Sequence, residues 1–148
     1  MQDTRAIEAQ LRAAASLPDL LAASFDSFEA IRRIARDCED QVPDALLPAF
    51  MATADAAVDG REAVIGAPSL TPHGRADARI RVSAGGSQHA EEVAGALAAL
   101  AALLRDQLTG AAPDLAVPAD QAACADAALA AAHIWQLMAG GDDGACPR

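Results

Sequence analysis

Alanine constrains this chain more than any other feature: it supplies 41 of the 148 residues. A methyl side chain loses no rotamer freedom in a helix and fills little volume, so long runs of it favour helices and close helix–helix approach. The apolar share is 53%, too high for a disordered chain. Set alanine aside, however, and only 37 larger apolar residues remain to build an interior. The length suits one domain, which at this size buries roughly 68–70% of its unfolded surface. Eleven arginines stand against no lysine, no asparagine and no tyrosine. That bias reads as codon usage in a GC-rich bacterial genome, which would make part of the alanine excess mutational.

Periodicity divides the chain into helices. Ile7 and Leu11, four apart, predict a first helix from Asp3 to about Ala15, and Pro18 interrupts it. Asp26 followed by Glu29 has capping-box spacing and predicts a helix start there. Beyond it Phe28, Ile31, Ile34, Ala35 and Cys38 form one stripe. The opposite face is charged, with Glu29–Arg33 and Arg36–Asp40 at i,i+4 spacing. Pro43 marks a break. A third helix then shows Leu47, Phe50, Met51, Ala54 and Val58 on its apolar face, with Gly60 expected to weaken or divide it and Gly66 with Pro68 to stop it. Ser87 or Gln88 opens a long helix to about Leu108, striped by Val93, Leu97, Leu100, Leu104 and Leu108. Its far side carries Ala94, Ala98 and Ala102, a thin face that admits a second helix. Asp120 is placed as the cap of a last helix, Gln121 to Ala139, with Ala123, Ala127, Ala130, Ile134, Leu137 and Met138 inward. The expected fold is all-α, a four- to five-helix antiparallel bundle over residues 1–139 with one long Gly/Pro/Arg-containing loop. Residues 140–148 read as a flexible polar tail.

Charge and cysteine content narrow the partners. A net charge of −10 repels phosphate backbones and anionic membrane surfaces, so nucleic acid and membrane are not expected partners. Cys38, Cys124 and Cys146 form no CxxC and match no zinc spacing. The first two fall on helices as small core residues, and a reduced, cytoplasmic setting is the economical reading. The amino-terminal residues lack the basic and apolar regions of a signal peptide. The charge-free apolar run Val93–Leu104 has twelve residues, short of the ~20 needed to cross a bilayer.

Catalytic signatures do not assemble. GxSxG, GxGxxG and GxxxxGK[ST] are all missing, the last for want of any lysine. His89 lies in the first turn of its helix with Glu92 three residues on, but no ExxH occurs and local hydrogen bonding is the favoured reading. His133 and Trp135 fall at opposite edges of the last helix's apolar face, where boundary packing is expected, and Asp126 is two turns from His133. Neither metal nor cofactor is expected.

One segment stands out. Residues 61–87 carry a net charge of +2, between stretches of −6 on either side. Arg75, Arg79 and Arg81 lie there, Ala78 to Ser83 alternate with strand periodicity, and Gly85-Gly86-Ser87 precedes a helix start. Free N–H groups at such a start favour an anion, which makes Arg75, Arg79, Arg81 and Ser87 the candidate ligand-binding residues. The competing and favoured reading is that these arginines tether the loop to the acidic helices. The expected function is a non-catalytic interaction or regulatory module that self-associates as a homodimer. The alternative is a small-molecule or anion-binding bundle, a small enzyme or pathway accessory, that uses residues 66–87 in its site.

Overall fold

A computed structural model describes residues 2–71 and 87–140. Five α-helices and one 3-10 turn make up its elements: α1 (Gln2–Ala13), α2 (Leu17–Cys38), α3 (Leu47–Ile65), α4 (Ser87–Ala111), the turn Ala112–Asp114, and α5 (Pro118–Ala139). The fold is an all-α bundle, and no strand occurs among the described residues. The alternating residues Ala78 to Ser83 lie outside them.

Each helix direction can be read from a specific contact. Glu29 pairs with Arg61 and Arg36 with Asp55, so positions rise along α2 as they fall along α3. Ser69, just past α3, bonds Asp120 in the first turn of α5, so these two packed helices also run oppositely. α4 and α5 form a hairpin across a short connection. Four helices thus stand in a square, in the order α2, α3, α5, α4, with no α2–α5 or α3–α4 contact across the diagonals among the described residues. α1 touches both α2 and α4 and closes their seam, burying Ile7 and Leu11.

This order explains the long connection between α3 and α4. Both helices run antiparallel to α5, so they are parallel to each other, and α3 ends at the opposite end of the bundle from the start of α4. The separation is about 33 Å, the length of a helix like α5 at ~1.5 Å per residue. A hairpin loop cannot bridge it, whereas the steps from Thr71 to Ser87 can reach about 50 Å. The length of this segment is therefore a topological requirement, independent of any binding role.

Local chemistry sets most helix ends, in two places differently from expectation. α2 begins at Leu17, with Pro18 inside its first turn and the Ser16 hydroxyl accepting from the Asp19 N–H at 3.3 Å. Proline fits there because the first-turn N–H groups have no helical partner anyway. Asp26 and Glu29 are therefore mid-helix rather than a capping box, and Asp26 instead accepts from Gln10 Nε2 on α1 at 3.4 Å. α3 passes Gly60 unbroken. A β-carbon at that position would lie 2.3 Å from Cε1 of Phe28, so this glycine is the notch that seats a buried phenyl ring.

The α4 stripe behaves as its spacing predicts. Val93, Leu97, Leu100, Leu104 and Leu108 are all fully buried, and α4 packs on α5, whose buried residues include Ala123, Cys124, Ala127, Ala128 and Ala131 beside Ile134 and Met138. On the α3 face Phe50 and Ala54 are buried as expected, together with Thr53, Ala56, Ala57, Gly60 and Val64, while Met51 is exposed. α3 packs on two neighbours, so its small residues go inward as well as its large ones. α5 is long and apolar enough to cross a membrane by length and composition, but its packing on both α3 and α4 gives it the role of a core helix.

Candidate functional site

α4 does begin at Ser87, as the candidate anion site requires. Arg75, Arg79 and Arg81 lie outside the described residues, as does Cys146. The described polar groups form other constellations, built on other residues.

The most buried of these is a carboxylate. Asp120 is 1% exposed and accepts from the Ser69 backbone N–H at 3.0 Å and from its hydroxyl at 2.5 Å. Asp120 is thus inside α5 rather than capping it: the residue before the helix is Val117, which makes no side-chain cap. The bond pins the chain leaving α3 to the start of α5, where the helix dipole also favours a carboxylate. Cys124, one turn on, is buried, and burial together with the Asp120 charge pushes its thiol pKa up. Cys38 is raised likewise by burial and by Asp37. Thiols held in the neutral form are poor nucleophiles and poor metal ligands.

A second cluster ties α2 to α3. Glu29 accepts from Arg32 Nε at 3.0 Å and from Arg61 Nη1 at 2.9 Å. Burial alone would raise its pKa, but the two guanidinium groups outweigh burial and leave it below the ordinary 4.5. Arg36 reaches Glu39 and Asp55, both at 3.3 Å. The expected i,i+4 partners Arg33 and Asp40 are replaced by i,i+3 and cross-helix ones. Two of these pairs, Glu29–Arg61 and Arg36–Asp55, join α2 to α3.

His133 is exposed, and Trp135 is 40% exposed with the Arg105 guanidinium 5.3 Å from its ring centre. Side chains lean toward their own helix N-terminus, so in an antiparallel pair these two lean toward each other. His89 is half-buried, and its Nε2 has no hydrogen-bond partner. Among the described residues no three His, Cys, Asp or Glu side chains gather as a metal site.

Two further surfaces lie among the described residues. One is an open groove of about 500 Å³ between the α1–α2 turn and the end of α4. Its floor is Leu17, Leu20, Ala111 and Leu115, and its rim includes Asp106 and Asp114. The other is the outer face of α5, where Leu129 is 70% exposed among exposed Ala122, Ala125, Asp126, His133 and Gln136. Composition hid both. The groove arises from a tertiary meeting of short side chains, and Leu129 sits in a helix whose alanines make every face apolar.

Compared with known protein families, curated proteins and solved structures, the chain matches none.

Proposed function

We propose that the protein is a non-catalytic interaction or regulatory module of the cytoplasm that associates with itself through the outer face of α5. The observation that carries this reading is Leu129, 70% exposed at the middle of α5, the one helix among the described residues long and apolar enough to cross a membrane. Leu129 stands with exposed Ala122 and Ala125 on that face, and a contiguous exposed apolar patch marks an interaction site. Charge supports a second copy as the cover. The chain repels itself at −10, yet this face carries one carboxylate, Asp126. A two-fold antiparallel pairing centred on Leu129 would set Asp126 of each copy opposite His133 of the other. The thin face expected to serve, Ala94, Ala98 and Ala102, is less suited, because Ala98 is 7% exposed and already in the intramolecular core.

Light scattering on a sizing column tests this. The expected result is a dimer that Leu129→Arg converts to a monomer with unchanged helix content. A wild-type monomer at every attainable concentration, or a dimer indifferent to Leu129→Arg, would overturn the reading.

A further inference from the structure

The groove beside the carboxyl end of α4 goes beyond self-association. Its existence is a consequence of small side chains: Ala14 and Ala15 in the α1–α2 turn face Gly110 and Ala111 at the end of α4, and neither side can fill the space between. Leu17, Leu20 and Leu115 are left as an apolar floor. The charged side chains that line the groove are both carboxylates. A helix C-terminus carries about half a negative charge and ordinarily attracts a basic residue in its last turn. The last turn of α4 has none, and the exposed carboxylates Asp106 and Asp114 stand on the rim instead. Arg105 takes one oxygen of Asp106 at 3.1 Å, but its guanidinium lies over Trp135. Asp114 has no salt-bridge partner among the described residues.

We infer that this groove docks a basic, leucine-bearing segment of a protein partner, apolar side chains on the leucine floor and guanidinium or ammonium groups on Asp106 and Asp114. Charge complementarity selects the cation: the site adds local negative potential to a body already at −10. Shape selects a peptide. Small-molecule sites enclose most of their ligand, whereas this groove is open along its side and suits side chains projecting from a larger body. An amphipathic helix presents such side chains at i, i+3, i+4 and i+7.

The probe is a short synthetic helix with leucines at that spacing and arginines flanking them, titrated into the full chain by calorimetry. Binding is expected at low salt, weakening as ionic strength rises. Replacing the arginines with glutamate should abolish it. The double variant Asp106→Asn, Asp114→Asn should weaken it roughly two- to tenfold, the range for two partly screened ion pairs. Gly110→Phe should abolish it without loss of stability, because a β-carbon at Gly110 meets nothing within 4 Å and the ring would occupy the groove. Equal binding by all variants, no binding at low salt, or Gly110-sensitive binding of decyltrimethylammonium without binding of the peptide would each overturn the inference. The same titration on Leu129→Arg should be unchanged, so failure here and failure of the dimer reading are separate results.

Discussion

The α2–α3 pair and the α4–α5 pair are held together by different means. Between α2 and α3, one ring enters one notch, Phe28 at Gly60, and two cross-helix ion pairs, Glu29–Arg61 and Arg36–Asp55, mark the register on the surface. Between α4 and α5, a helix with a buried leucine stripe packs on one whose buried residues include four alanines. A notch accepts its ring at one position only. Alanine methyls look alike at every turn, so this second interface supplies burial with little register information. Its alignment comes from elsewhere: the short connection after α4 and the Arg105–Trp135 stack.

If that contrast holds, the notch should give the largest effect. Phe28→Ala should cost about 3–5 kcal/mol by cavity formation, seen as a lower midpoint in denaturant. Adding Gly60→Leu should recover part of this loss by refilling the space, while Gly60→Leu alone should destabilise by overpacking. Additive single effects would show that ring and notch are not coupled.

The alanine interface should be less exacting. Ala98→Leu inserts volume at a position 7% exposed and should cost ~1–3 kcal/mol. The loss should appear as a lower melting temperature that does not depend on protein concentration. A concentration-dependent loss would move the self-association surface from α5 to α4.

The smallest effect concerns the ion network. Glu29 titrates lower in the folded chain than in the unfolded one, so its stabilising contribution is complete above the ordinary 4.5 and is lost as pH falls through the lowered value. Acid titration of stability should therefore show a shallower loss in Glu29→Gln than in wild type across that window. Identical profiles would reduce the cross-helix pairs to surface decoration.

How much of this was legible beforehand follows from the range of each interaction. The α4 stripe was fully legible, because residues at i, i+3 and i+4 share a helix face whatever the helix packs against. The buried Cys38 and Cys124 were legible for the same reason. The start of α2 was misread because two signals competed. Asp26 and Glu29 have cap spacing, but Ser16 and Pro18 provide a better start ten residues earlier, and Asp26 bonds α1 instead. Gly60 was misread as a weak point because its purpose lies in a ring more than thirty residues away. Of the candidate site, the helix start at Ser87 was legible, whereas the groove and the exposed Leu129 were not.

By itself the sequence determined the secondary structure: alanine, leucine spacing and prolines at first turns make helices with little reference to the rest of the chain. The tertiary structure alone decided which helices are neighbours and which are diagonal. It thereby determined that α3 and α4 lie parallel with a long connection between them, that Asp120 serves Ser69 rather than its own helix, and that α5 keeps Leu129 exposed. The physical reason is that helix formation depends on contacts three and four residues apart, which are written locally. The choice of partner among faces built from the same methyl group depends on where the few large side chains, the single notch and the buried carboxylate meet across the bundle.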